Sequence, residues 1–341
     1  MPSQTYERYG LTGNPFRDLA SENLDDVSIY HVNQEVDDSL HTIKEEVFDK
    51  ENRSVVALIG VLGAGKTERL LLAAAEGRQR GALTIYFDVT TKTPWILKGL
   101  AGEFQKAATT LGVAKTFSQP GWLRAVGGLA KAKDERYDPK EVGRILGGAL
   151  NENSPSMLLL NDLHNLVESK EVDSFVQVLQ EMTDVIRPGV LLMFSCYASY
   201  IAWLTVNHPA LAARINRTFL LVALTDEQAA LVIAKKLLAK RVVEDLDPIF
   251  PFDMEAIKGL NRGALGNPRR LIELADLAIE YAVGHRAYRV DVDSVQMILG
   301  QRSTNAMAVA IMGKHAEESE ASPPIKGKPF SPGGTAPWKE T

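Results

Sequence analysis

Apolar residues follow two alternating patterns along the chain. Short apolar runs recur at Ser54–Gly60, Ala82–Val89, Met157–Leu160, Val190–Ser195 and Thr218–Ala223, the first of them β-branched, and each reads as a buried strand. Between them apolar positions return at three- and four-residue steps. Val36, Leu40, Ile43 and Val47 mark a helix over residues 32–49. Lys66–Gly77, Trp95–Leu111 and Ser174–Val185 read the same way. Residues 113–150 are less regular, moderately basic, and carry two Gly pairs. Strands alternating with helices predict a three-layer α/β/α fold around a mostly parallel, five-stranded sheet.

From Thr225 the pattern is helical only. Thr225-Asp-Glu-Gln228 has the form of a capping box before the periodic stretch Leu231–Leu238. A further helix is framed by Asn267 as N-cap, Pro268 at the first helical position and Gly284 just past the end. The expected organisation is an N-terminal strap over 1–30, turn-rich with Gly10, Gly13 and Pro15, then an α/β domain over 31–225. A helical domain over 226–312 and a disordered tail over 313–341, rich in Glu, Ser, Pro and Gly, complete it.

Composition narrows the class. With 45% hydrophobic and 24% charged residues, the 341-residue chain is neither wholly disordered nor collagen-like. The formal charge of -5 gives no basic excess, so contact with nucleic acid must come from a local patch. The single cysteine, Cys196, cannot form an internal disulfide, which fits a reducing, cytoplasmic setting. No apolar stretch is long enough to span a bilayer, and the N-terminus lacks a signal-peptide core.

One motif carries chemistry outright. Gly60-Val-Leu-Gly63-Ala64-Gly65-Lys66-Thr67 matches the phosphate-binding pattern G-x-x-x-x-G-K-[ST], with a strand before it and a helix after it. Glycines there let backbone N–H groups turn in around phosphate oxygens, and the helix N-terminus adds its own donors. Lys66 would reach the β- and γ-phosphates and Thr67 would ligate magnesium. Gly60, Gly63, Ala64, Gly65, Lys66, Thr67 and Glu68 are the expected ATP-binding set. Such a site needs an acidic strand end, and Met157-Leu-Leu-Leu-Asn161-Asp162-Leu-His164 is the candidate. Its first polar place is Asn161, not an acid, and the metal would fall to Thr67 and Asp162. Either Asp162 does both jobs, or hydrolysis is slow and the nucleotide mainly structural. His164 reads as catalytic or as a hydrogen-bonded structural histidine, the second being favoured.

By these residues the chain resembles the AAA+ ATPases. More narrowly it resembles their initiator-like branch of archaeal origin-recognition, ExeA-like and TniB/TnsC-type proteins. The lead-in Tyr9-Gly-Leu-Thr-Gly-Asn-Pro-Phe16, the P-loop and the Asn161-Asp162 segment carry the resemblance, together with three downstream elements. Ser195 falls where the family places sensor 1, and otherwise reads as a strand-end capping serine. Ala213-Arg214-Ile-Asn-Arg217 looks like the segment presenting an arginine finger to a neighbouring subunit, with Arg214 favoured over Arg217. Gly266-Asn-Pro-Arg269-Arg270 looks like sensor 2. Two arginines in a first helical turn are disfavoured by the helix dipole unless an anion binds, so a ligand role for Arg269 is favoured over a solvated charge pair, with Arg270 as the alternative.

The resemblance implies ATP and Mg2+ as cofactors, a homo-oligomeric ring or filament, and a role on a DNA-associated or protein complex. Little chain follows the helical domain, too little for the winged-helix domain of origin-recognition relatives, which turns the expectation toward the transposition-regulator and ExeA-like types. Lys115, Arg124, Lys131, Lys133, Arg136, Lys140 and Arg144, with Trp122, could line a channel for duplex DNA or form a solvated helix face. No zinc-ligand spacing, H-E-x-x-H or G-x-S-x-G occurs, and His31, His41, His208 and His285 form no cluster in sequence.

Overall fold

The computed structural model describes residues 6–17, 34–90, 96–112, 121–131, 138–243 and 245–300. One parallel sheet holds β1 (Ser54–Ile59), β2 (Leu83–Asp88), β3 (Ser156–Asn161), β4 (Val190–Cys196) and β5 (Arg217–Leu220), in the order β2-β3-β4-β1-β5. The chain therefore has the expected α/β fold, and the elements that follow the last strand among the described residues are helices. β1, β3 and β4 are buried along their whole length, which is why they read as unbroken apolar runs.

Side chains alternate between the two faces of the sheet. Val56, Leu58, Met157, Leu159, Leu191 and Met193 pack on α1 (Gln34–Phe48) and α2 (Lys66–Gln79). Val55, Ala57, Ile59, Leu158, Leu160, Leu192 and Phe194 belong to the larger opposite core. That core draws on α3 (Ile96–Thr110), α4 (Gly121–Lys131), α5 (Pro139–Glu152) and α6 (Val172–Val185), with α7 (Ala198–Asn207) and α8 (Pro209–Ala212) at its rim.

The irregular stretch 113–150 contains two helices, α4 and α5. Hydrophobic periodicity hides α5 because glycines occupy part of its buried face. A Cβ at Gly143 would lie 2.6 Å from Glu181 Cβ, and one at Gly147 would lie 2.4 Å from Val185 Cγ2. The missing side chains let α5 approach α6 closely. The last strand ends at Leu220, three residues before the sequence boundary at Ala223.

The C-terminal helical part holds α9 (Asp226–Leu238), α10 (Met254–Ala264) and α11 (Pro268–Gly284). Thr225 makes both bonds of the capping box with Gln228. Asn267 caps α11 by accepting from the Arg270 N–H, while Gly284 is the last helical residue and not the first beyond it. Residues 6–17 lie against these helices. Tyr9 is wholly buried and its hydroxyl donates to the Ala287 carbonyl at 2.7 Å. Leu11 bridges Arg241, and Phe16 meets Phe252 edge-on at 5.7 Å. The expected tail over 313–341 lies outside the described residues, as do Lys115, Lys133, Arg136 and His31. Among the described residues no helix is long and apolar enough to cross a membrane.

Candidate nucleotide site

All strands of a parallel sheet end on the same edge, and ligands of open α/β sheets bind there. β1 runs into the loop Gly60–Gly65 and then into α2. Gly63 and Gly65 hold φ of 80° and 86°, a region where a side chain is strained. A Cβ at Gly63 would also lie 2.6 Å from Asn267 Oδ1 and 2.9 Å from Arg269 Cβ, so the start of α11 rests on this loop. The Asn267 amide donates to the Leu62 carbonyl at 2.6 Å, tying the helical part to the loop.

Lys66 is 5% exposed and folds back into the loop. Its ammonium donates to the Gly60 and Val61 carbonyls at 2.8 and 3.0 Å and sits 4.9 Å from the centre of the Tyr197 ring. Burial holds its pKa below the ordinary lysine value, with the Asp162 charge opposing. Among the described residues no carboxylate lies within ion-pair distance of it. A buried cation with no ion-paired carboxylate among the described residues, beside a loop of left-handed glycines at a helix N-terminus, has the charge and shape that a polyphosphate would complement. The residues present fit a nucleotide.

The neighbouring strand ends form a hydrogen-bonded chain. Asn161 Oδ1 accepts from the Thr67 hydroxyl at 3.0 Å and from the Ser195 hydroxyl at 2.8 Å. Ser195 Oγ accepts in turn from the Asp162 N–H at 2.7 Å. Asn161 Nδ2 donates to Asp88 Oδ1 at 2.7 Å, and that same oxygen accepts from the Tyr86 hydroxyl at 3.0 Å. Asp162 has φ of 54°, an uncommon conformation for a residue with a side chain, and lies part-buried at the start of a short 3-10 helix. Thr67, Asp162 and Asp88 offer the hard oxygen donors that suit magnesium.

The structure brings Gly60, Gly63, Ala64, Gly65, Lys66, Thr67, Asn161, Asp162 and Ser195 to one edge, with Arg269 against the loop. Ser195 is fully buried and its hydroxyl is engaged on both sides, so it acts on its neighbours in the sheet and not on solvent. Arg214 lies before β5, where it pairs with both oxygens of Asp184 at 2.6 and 2.7 Å. Arg217 is exposed at the start of β5, and Arg270 is exposed on α11. His164 is not the hydrogen-bonded histidine the sequence favours. Its ring lies against Tyr197, the centroids 3.8 Å apart and the planes inclined by 36°, and Nδ1 is buried without a partner among the described residues. Burial keeps its pKa below the ordinary histidine value. Tyr197 and Asp88 are absent from the sequence-derived set. The signal for Asp88 was its place at the end of an apolar strand, but only the strand order puts it beside Asn161.

Behind the loop, a small cavity of about 50 Å³ is lined by Gly65, Glu68, Leu221, Val232, Pro268 and Ile272, among others. Burial pushes the Glu68 carboxyl up to about 7, against the lowering pull of Arg69, Lys236 and Lys235 and with Asp37 adding to the rise. The folded chain therefore keeps a proton that the unfolded chain releases near pH 4.5. This group's contribution to stability falls as pH rises from about 4.5 to about 7. Glu68→Gln is expected to exceed the parent protein by roughly 2–3 kcal/mol at pH 8 and to match it near pH 4.5, read from urea unfolding at both pH values.

No family model matches the chain, and no curated protein matches it. Solved structures do. The Orc1 protein of Aeropyrum pernix, solved in complex with DNA, superposes with a TM-score of 0.52 at 16% identity, over 83% of this chain and 68% of that one. The Orc2 protein of the same organism, solved as ADPNP-ADP complexes, gives 0.52 at 12% identity, over 79% and 67%. The Thermotoga maritima RuvB Holliday junction branch migration motor superposes more loosely, at 0.47 and 16% identity, over 79% and 68%. A five-stranded sheet in 2-3-4-1-5 order, a glycine loop after its first strand and helices packed onto that loop give this chain the fold of the AAA+ ATPases, with structural similarity to the archaeal Orc1 and Orc2 proteins.

Proposed function

We propose that the chain is an AAA+ ATPase that binds ATP with magnesium, oligomerises as a ring or filament, and uses binding and hydrolysis to regulate or remodel a DNA-associated complex. Lys66, buried in its glycine loop with no ion-pair partner among the described residues, is the observation that carries the reading. Lys66 leaves the Gly60 and Val61 carbonyls and pairs with the β- and γ-phosphates. Thr67 and Asp162 would hold magnesium, and the ion would supply positive charge against the phosphate oxygens. Asp162, with Asn161 set by Ser195, orients the attacking water. Arg269 faces the phosphates from the helical part. Arg214 leaves Asp184 to reach the site of a neighbouring protomer, where it offsets transition-state charge.

DNA as partner rests on two observations. The Aeropyrum Orc1 protein was solved with DNA, and Arg124 and Lys131 flank an open groove between α3 and α4. A partner protein would be engaged by the same assembly. A second reading, a nucleotide-gated scaffold with little turnover, is favoured by Asn161, because an amide polarises a metal-bound water less than a carboxylate does.

Steady-state ATP hydrolysis with and without duplex DNA tests the proposal. Turnover that rises with duplex, and loses that rise in the charge-reversed Arg124→Glu/Lys131→Glu protein, supports it. ATP binding without turnover in either condition supports the scaffold. Arg214→Ala is expected to lower turnover at least about 100-fold while leaving ATP affinity within about threefold, since a finger acting in trans touches only the transition state of its neighbour.

A further inference from the structure

Asn161 is a deficiency only when the strand end is read alone. Asp88 and Asn161 are register partners on adjacent parallel strands, so their side chains emerge on the same face. The Asn161 amide is fixed in orientation by chemistry. Its oxygen receives the Thr67 and Ser195 hydroxyls, and its nitrogen faces the Asp88 carboxylate, which can only accept. Asp88 is exposed where Asn161 is buried. An acid at 161 would set a second carboxylate against Asp88 at hydrogen-bond distance, and one of the two would have to stay protonated. The pair therefore holds one negative charge and one amide, with the charge on the outer member.

We infer that Asp88 supplies the carboxylate charge of the magnesium site that Asn161 lacks, with Asn161 as the positioning residue that connects it to Thr67. The inference rests on the ATP-magnesium reading above. Magnesium dehydrates reluctantly and keeps several waters, so a carboxylate one amide away from the Thr67 hydroxyl can hold the ion through its water shell. The charge at the site is then transposed by one strand and not lost, which also removes the main ground for the scaffold reading.

The test measures Mn2+ affinity of the complex with ADP-PNP by electron paramagnetic resonance, alongside ADP-PNP affinity in EDTA. Asp88→Asn preserves an acceptor for the Asn161 amide and removes only the charge. It is expected to weaken Mn2+ binding at least tenfold with ADP-PNP affinity in EDTA unchanged. The exchanged protein, Asp88→Asn/Asn161→Asp, moves the charge back by one strand and is expected to recover the parent affinity to within threefold. Mn2+ affinity within twofold of the parent in Asp88→Asn, or no recovery in the exchanged protein, overturns the inference. Should Asp88→Asn fail to bind ADP-PNP in EDTA, the exchanged protein alone decides between these outcomes. A parent protein that binds no ADP-PNP in either medium overturns the nucleotide reading itself, and this inference with it.

Discussion

Lys66→Met is expected to weaken ADP-PNP binding by at least about 100-fold while leaving the melting temperature of the nucleotide-free protein within about 3 °C of the parent. The first half follows from losing charge-assisted hydrogen bonds to phosphate. The second half separates this site from an ordinary buried lysine. Truncating one member of a buried ion pair strands its partner and costs several kcal/mol. Lys66 has no such partner among the described residues, and its ammonium is lowered in pKa by burial. Removing it relieves a desolvated charge and leaves the Gly60 and Val61 carbonyls short of one donor, effects of opposite sign. Methionine keeps most of the stem volume, so no large cavity opens. Calorimetric titration and a melting curve on the same sample check both halves. A fall in melting temperature of 10 °C would mean that Lys66 is part of the core and not held ready for a ligand.

Gly143→Val is expected to destabilise the protein by more than about 3 kcal/mol, seen as a lower urea midpoint with little change in slope. The cause is steric. A Cβ at 143 meets the Val178 carbonyl oxygen at 2.7 Å and Glu181 Cβ at 2.6 Å, and the first of these is backbone that cannot rotate away. α5 would have to lift from α6 along a buried face that includes Val142, Leu146 and Leu150. Gly148, one residue beyond the close-packed Gly147, is the matched control. A Cβ there meets nothing within 4 Å, so Gly148→Ala is expected to stabilise by about 0.5–1 kcal/mol through helix propensity alone. Opposite signs five residues apart on one helix would tie the effect to packing.

The strands and the phosphate loop were legible because each is set by local pattern. Unbroken apolar runs announce strands buried on both faces, and the glycine spacing fixes a backbone shape. The capping box at Thr225 and the Asn267-Pro268 start of α11 were legible for the same reason. α5 was not, since Gly143 and Gly147 contribute to burial by being absent and no hydrophobicity scale counts that. α10 escaped similarly, because its apolar face is short and begins beyond Asp253. In the site, Thr67, Asn161 and Asp162 were reachable from sequence, but Asp88 was not. It required knowing that β2 lies beside β3, a fact of topology. Tyr197 was hidden too, since an aromatic residue after a strand carries no sign that its ring covers a lysine.

Residues 6–17 pack on helices more than two hundred residues later in the chain, through Tyr9, Leu11, Asn14 and Phe16. The helical part is thus joined to the sheet by two covalent crossings, 221–225 and the stretch between residues 17 and 34. Cutting the chain between residues 17 and 34 would turn an intramolecular contact into a bimolecular one and remove its high effective concentration. The released peptide would then dissociate on dilution, and the faces of Phe250 and Phe252 beneath it would meet water.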